Sequence, residues 1–177
     1  MADQGLMAVF YFDESGVTTM PSVPYAWQPI GAPRELPCFK SRRLNILGFL
    51  SKDQRSYFHY TETPVNTEAV IAAFDGFTAR YAQEYAVHRR PCVVIIDNAS
   101  THTSQAFREH QDRWGACGVI IHRLPPYSPE LNLIEILWRK LKYDWLPLDC
   151  YASFQTMKQA VQEVLSGVGS KYQITFA

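Results

Sequence analysis

The chain has 177 residues, of which 47% are hydrophobic and 19% charged, an ordinary balance for a globular domain with a full core. Its 17 basic and 17 acidic side chains cancel, so contact with nucleic acid would have to come from local basic patches. No apolar run approaches the roughly 18 residues that span a bilayer, and four cysteines without a CxxC pair indicate reduced thiols in a cytoplasmic protein, not a zinc site.

Hydrophobic patterning predicts a series of strands followed by alternating helices and strands. Strands are predicted over residues 7–12, 25–30, 44–51 and 56–61, followed by a helix capped by Asn66 or Thr67 and ended by Pro91. Next come a continuous β-branched strand over 92–96, a helix over about 104–114, a strand over 119–124, and helices over about 130–144 and 151–166.

The connections between these elements indicate how the strands pair. Early strands joined by short turns favour antiparallel pairing, whereas later strands separated by helices favour parallel pairing. We therefore predict an α/β fold in which a mixed sheet, antiparallel in its first strands and then parallel, is flanked by helices. Residues 1–177 are expected to form one domain.

Three acidic residues stand at places where chemistry is expected. Asp13 follows the strand over 7–12 in a predicted turn over 13–16, and Asp97 follows the strand over 92–96. In open α/β sheets, ligands bind beyond the carboxyl ends of the strands. Glu135 lies beside the apolar stripe of the helix over about 130–144, where it can face the sheet.

The acids allow two interpretations at this point. An aspartate after a strand is commonly a turn residue, and a single glutamate in a helix is commonly a solvated surface acid. Together, however, three carboxylates offer the hard oxygen ligands that Mg²⁺ and Mn²⁺ prefer. A pair of such ions could activate a nucleophile and stabilise a leaving oxygen in phosphoryl transfer.

Longer motifs carry a family resemblance. The stretches YFDESGV (11–17), PYAWQPIG (24–31), VVIIDNASTHTS (93–104) and LPPYSPELNLIEILWRKLK (124–142) resemble the catalytic domain of DDE transposases, in the mariner-related bacterial insertion-sequence branch. The resemblance implies an RNase H-like fold and two Mg²⁺ or Mn²⁺ ions. It also implies cleavage of DNA at transposon ends by water, followed by attack of the freed 3′-hydroxyl on target DNA, without a covalent protein intermediate.

Matched residue by residue, the resemblance makes Asp13, Asp97 and Glu135 the three catalytic, metal-binding acids. Two features depart from the family pattern: 37 residues separate the second acid from the third, slightly more than is common, and Leu133 stands where proline is usual. Glu14 is the rival for the first position. In an extended strand it would point to the opposite face from Asp13, so Asp13 is favoured.

Basic residues near these motifs are predicted to contact DNA phosphates. Arg42 and Arg43 lie in the loop that also holds Arg34 and Lys40. Arg139 and Lys142 continue the helix of Glu135, and His102 belongs to the motif over 93–104, which holds the second acid. The alternatives are a solvated helix face for the helix residues and, for His102, a place at the start of a helix. In that second motif Asn98 and His102 are also predicted to orient a ligand, a water or a phosphate.

The resemblance also sets expectations for partners and for rival functions. Transposon-end and target DNA are the expected partners, together with a second copy of the chain, and no membrane is expected. Because the sequence begins almost at the first strand, the N-terminal helix-turn-helix region of such transposases is expected to be absent, leaving weak, unspecific DNA binding. An RNase H-type nuclease and a non-catalytic domesticated module are the alternatives.

Overall fold

The structure is a computed structural model that describes residues 6–22, 30–31, 40–126 and 128–176. The predicted strand over 25–30, with Trp27, and the basic residue Arg34 lie outside the described residues, apart from Ile30 in a turn. Within these residues the strands are β1 (Ala8–Thr18), β2 (Arg43–Ser51), β3 (Ser56–Thr61), β4 (Cys92–Ile96) and β5 (Val119–Arg123). The helices are α1 (Thr67–His88), α2 (Ser100–Thr103), α3 (Gln105–Ala116), α4 (Ile134–Lys140) and α5 (Phe154–Ser166).

The strands form one sheet in the order β3-β2-β1-β4-β5. β1 pairs with β2 and β2 with β3 in antiparallel fashion, while β4 lies parallel to both β1 and β5. This arrangement confirms the predicted mixed sheet. It also places the carboxyl end of β4 beside the middle of β1. Tyr11 and Ile95 are the last paired residues of these two strands, and β1 continues beyond that pair to Thr18.

The central strand β1 is longer than the sequence predicts. The acidic segment after residue 12 was expected to turn, but β1 extends to Thr18, with Asp13 opposite Gly48 and Glu14 opposite Leu47 of β2. The ladder with β2 provides hydrogen-bond partners for the backbone N–H and C=O groups of this polar segment. The segment can therefore continue as a strand instead of turning. Because side chains alternate along a strand, Asp13 and Glu14 point to opposite faces, as expected.

Each face of the sheet carries its own core. Phe10 and Phe12 of β1 pack with α1 and α3 on one face, whereas Tyr11 and Val17 pack with α4 and α5 on the other. Side-chain caps set the starts of three helices: Asn66 before α1, Ser104 before α3 and Ser153 before α5. The cap by Asn66 confirms the predicted start of α1. Within the described residues, no helix combines the length and apolarity needed to cross a bilayer.

The predicted helix over about 130–144 is divided into three segments. A 3₁₀ turn over Pro129–Leu131 leads into α4, and a π-helical turn over Leu141–Trp145 follows it. The apolar Leu131 is 47% exposed, whereas the neighbouring polar Asn132 is buried. The helical phase therefore begins later than the sequence pattern suggests, since Asn132 and Leu133 precede α4.

Candidate active site

The three predicted acids line one cavity of about 410 Å³. Asp13 comes from the middle of β1, Asp97 directly follows β4, and Glu135 is the second residue of α4. The parallel pairing of β1 with β4 and the packing of α4 on the sheet bring these distant segments together. Asp97 and Glu135 are exposed, while Asp13 is partly buried at the inner wall of the cavity.

Asp13 occupies an electrostatically unfavourable position. Its Oδ2 accepts a hydrogen bond of 3.0 Å from the indole Nε1–H of Trp138 on α4. Burial raises the pKa of Asp13 to about 7, and the neighbouring negative charges of Glu14, Asp97 and Glu135 act in the same direction. Among the described residues, no side-chain cation forms a salt bridge with this carboxylate, and the charge of Lys142 does not offset the effect of burial.

A close approach of helix to strand makes the Trp138 contact feasible. Gly48 lies opposite Asp13 on β2, and a Cβ atom at this glycine would lie 2.6 Å from Cη2 of Trp138. Because Gly48 has no side chain, the indole ring can lie against the β2 backbone and reach the carboxylate of Asp13.

Asp97 is held in its ionised form. Its Oδ1 accepts hydrogen bonds from His102 Nδ1 at 2.7 Å and from the backbone N–H of Ala99 at 3.0 Å. The hydrogen bond from His102 lowers the pKa of Asp97, even though partial burial opposes it. Beside it, the Asn98 side chain donates to the Leu124 carbonyl at 2.6 Å, which ties this loop to the end of β5.

His102 connects two carboxylates through the protein interior. It is fully buried in α2, and its second ring nitrogen, Nε2, lies 3.0 Å from Glu14 Oε1. Burial opposes the imidazolium, but the hydrogen bonds with Asp97 and Glu14 prevail and raise the pKa of His102 to about 9. The predicted DNA contact of His102 is therefore wrong, because a fully buried ring cannot reach a phosphate; its contact is with Asp97 itself.

Glu135 is aligned by the turn before α4. Its backbone N–H donates to the Asn132 carbonyl at 3.1 Å, and the Asn132 side-chain Nδ2 donates to the Phe12 carbonyl at 3.0 Å. Asn132, Glu135 and Trp138 are spaced three residues apart and line the side of this segment that faces β1. Neither Asn132 nor Trp138 was predicted to support the site, although their spacing from Glu135 was a signal that they share one side of the helix.

The donor set fits a hard divalent cation, although the acids do not form a complete ligand cluster as they stand. Among the described residues, no group of three His, Cys, Asp or Glu side chains is close enough to hold a metal ion. The fit rests on the lining of the cavity, where Asp13, Asp97 and Glu135 come together. Burial raises the pKa of Asp13, and repulsion from Asp97 and Glu135 adds to this effect. A cation bound between them would relieve this repulsion.

Two of the predicted DNA-binding residues, Lys142 and Arg43, lie near one another. Lys142 lies in the π-helical turn after α4, where burial and the nearby charge of Arg43 lower its pKa while Asp13 opposes this shift. Arg43, at the start of β2, is exposed and donates to Asn45 Oδ1 at 2.6 Å. Lys142 is thus close enough to Asp13 for their charges to interact, whereas Arg43 lines a separate cavity with Glu14.

The other two predicted basic residues differ in their surroundings. Arg42 pairs with Glu62 at 2.9 Å, and its guanidinium lies 3.8 Å from the ring centre of Phe154. Internal contacts therefore compete with any phosphate for this side chain. Arg139 is exposed one helical turn after Glu135 and shares a shallow cavity with it and with Glu130.

Comparisons with known proteins agree with this geometry. The family described as DDE superfamily endonuclease matches residues 8–158. Among solved structures, the chain is similar to the Mos1 mariner paired end complex with Mn, with a TM-score of 0.66 and 15% identity over 92% of this chain and 49% of that one. It is also similar to the catalytic domain of Mos1 mariner transposase, with a TM-score of 0.58 and 17% identity over 91% of this chain and 71% of that one.

A third structure, the Mos1 transposase paired-end complex with left transposon end, has a TM-score of 0.62 and 16% identity over 91% of this chain and 48% of that one. The chain thus spans about half the length of the transposases in these complexes. No curated protein matches the sequence significantly. The structural likeness confirms the predicted RNase H-like fold.

Proposed function

This chain belongs to the DDE superfamily endonuclease family, and we propose that it forms the catalytic domain of a transposase, which cleaves DNA strands and transfers them with the help of divalent ions. One observation carries the proposal. Three acids separated by long stretches of sequence, Asp13, Asp97 and Glu135, line the same cavity on an RNase H-like sheet.

Asp13, Asp97 and Glu135 would hold the Mg²⁺ or Mn²⁺ ions, which when bound polarise a phosphate and make water a stronger nucleophile. Asp97 is ready for this role because His102 keeps it ionised. Asp13 holds its proton up to a pH of about 7 and has to release it before it can act as a ligand. Trp138 fixes the direction in which the Asp13 carboxylate points.

The proposed chemistry has two displacement steps. Water attacks a phosphorus at the transposon end, and the bond from that phosphorus to the 3′ oxygen breaks, releasing a 3′-hydroxyl. This hydroxyl then attacks a phosphorus of target DNA, and the target strand leaves as its own 3′-hydroxyl. The protein aligns the reacting groups and supplies charge in both steps, and none of its side chains forms a covalent bond to DNA.

DNA and a second copy of the chain are the proposed partners. Two of the matched structures are described as paired-end complexes, one of them with a left transposon end. Arg139 shares a cavity with Glu135, and Lys142 lies near Asp13, so these two would contact phosphates near the scissile bond. Arg43, which lines a cavity with Glu14, would contact DNA further along. Arg42 would contribute less, because Glu62 and Phe154 already engage it.

The remaining assignments follow from the same proposal. We assign residues 1–177 to one catalytic domain, because the helices on both faces pack on a single sheet. A place in the mariner-related bacterial insertion-sequence branch is supported by the motifs named above. A cytoplasmic location is supported by the free thiols of Cys92, Cys117 and Cys150, the cysteines within the described residues.

The test is nicking of supercoiled plasmid DNA in Mg²⁺ or Mn²⁺ by the wild-type chain and by Asp97→Asn. Asp97→Asn removes a ligand charge with little change of shape, so nicking should fall at least about a hundredfold, as for loss of one electrostatic element of a site. Asp112→Asn, at an exposed acid of α3, is the matched control and should keep wild-type activity. Undiminished nicking by Asp97→Asn would refute the assignment, and preferential cleavage of RNA–DNA hybrids would favour an RNase H-type nuclease.

A further inference from the structure

Asn132 joins the segment of the third acid to the strand of the first. It is only 5% exposed and lies in the turn just before α4. Its side-chain Nδ2 donates a hydrogen bond of 3.0 Å to the carbonyl of Phe12, the residue before Asp13. Its own carbonyl accepts the backbone N–H of Glu135 at 3.1 Å. A single residue thus sets the distance between the two acids through two main-chain contacts.

The oxygen of the same side-chain amide has no hydrogen-bond partner among the described residues. Asn132 Oδ1 is buried and makes no hydrogen bond within the described part of the chain, although the residue lines the cavity of the three acids. Exchanging the two amide atoms would not solve this, because it would set Oδ1 against the Phe12 carbonyl, which is also an acceptor. A buried acceptor without a donor lowers stability, so its presence needs an explanation.

Among the described residues that line the cavity, the side-chain donors are already engaged elsewhere: Ser128 donates to the Pro126 carbonyl and Asn98 to the Leu124 carbonyl. Asp13, Asp97 and Glu135 offer only acceptor atoms when they are ionised. The donor has to come from something bound in the cavity, and a water molecule coordinated to a divalent cation is a strong donor that such a cavity would hold.

We propose that Asn132 is a positioning residue of the active site: its Nδ2 fixes Glu135 relative to Asp13, and its Oδ1 accepts a hydrogen bond from a cation-bound water. This inference rests on the proposed function, since it requires that the acids bind a divalent ion. It gives Asn132 a role that packing alone does not require, because an apolar residue would fill the same space without an unpaired acceptor.

The test is calorimetric titration of the full chain with Mn²⁺, comparing the wild type with Asn132→Leu and Asn132→Ala. Asn132→Leu has a similar branched shape and removes the unpaired acceptor, so it should fold at least as well as Asn132→Ala. Both variants should bind Mn²⁺ about tenfold or more weakly, the usual effect of losing a hydrogen-bond partner behind the metal ligands. Val161→Ala, a fully buried core position of α5, is the control for loosened packing and should keep wild-type affinity.

The outcomes separate this inference from the proposed function. If the wild type binds Mn²⁺ and Asn132→Leu binds it with the same affinity, the role of Asn132 is refuted while the metal site stands. An equal loss of affinity in Val161→Ala would also refute it, because general loosening would then explain the effect. If the wild type itself binds no Mn²⁺, both proposals are refuted.

Discussion

Replacing His102 by glutamine should change how the stability of the protein depends on pH. His102 is fully buried between Asp97 and Glu14, and its pKa is raised from 6.5 to about 9. A folded-state pKa above the unfolded value means that the native state binds the proton more tightly. The contribution to stability is therefore present in full below a pH of about 6.5 and is lost as the pH rises through about 9.

The magnitude follows from the size of this pKa shift. At 1.36 kcal/mol per pKa unit, the protonated His102 contributes about 3 kcal/mol at pH 6, about 2 kcal/mol at pH 7.5 and almost nothing at pH 9.5. Glutamine cannot be protonated, so His102→Gln removes the whole pH-dependent part. The difference in unfolding free energy between wild type and variant should therefore narrow by about 3 kcal/mol between pH 6 and pH 9.5.

The measurement is urea unfolding followed by tryptophan fluorescence, in buffer with EDTA, at several pH values from 6 to 9.5. Taking the difference between wild type and variant cancels the titration of other groups. His122→Gln, at an exposed histidine of β5, is the matched control and should follow the wild-type curve. Parallel curves for the wild type and His102→Gln would show that His102 is not the charged bridge described above.

Three further predictions concern the acids and the basic residues beside them. In metal-free buffer at pH 8, Asp13→Asn should raise the unfolding free energy by at least about 2 kcal/mol, because it removes a buried charge whose pKa is about 7, while nicking is lost. Trp138→Phe keeps an aromatic ring but removes the donor to Asp13 Oδ2 and shortens the ring that packs on Gly48. Mn²⁺-dependent nicking should fall about tenfold or more, and an unchanged rate in a folded variant would contradict the positioning role. Lys142→Ala should reduce the slope of log affinity for DNA against log salt by about 0.9, as expected for one lost phosphate contact. Arg42→Ala, whose side chain is already paired within the chain, should leave that slope nearly unchanged, and fluorescence anisotropy with duplex DNA would distinguish the two.

Much of the sheet could be predicted from the sequence, because its strands are locally recognisable. The apolar segments over 56–61 and 92–96 match β3 and β4 as observed, and Asn66 caps α1 as expected. The end of β1 could not be predicted in the same way. An acidic run after an apolar strand usually marks a turn, and only the ladder with β2 shows that Asp13 and Glu14 stay within the sheet.

The sequence pointed to three acids as the candidate site, but it did not indicate the contacts that support them. Motif resemblance identified Asp13, Asp97 and Glu135, which the structure brings to one cavity. The burial of His102 depends on contacts with Asp97 and Glu14, and Glu14 is far away in the sequence, so no local pattern shows it. The basic character of histidine pointed toward DNA, whereas tertiary packing turned the ring inward.

The contact between Gly48 and Trp138 limits what β2 can contain. Any residue larger than glycine would have its first side-chain carbon 2.6 Å from the indole ring, too close for either to remain in place. Moving the ring away would also take its N–H from Asp13, which the same glycine faces across the ladder. Gly48→Ala would thus disturb Asp13, although β2 carries none of the three acids. A mutational screen confined to charged residues would overlook this position.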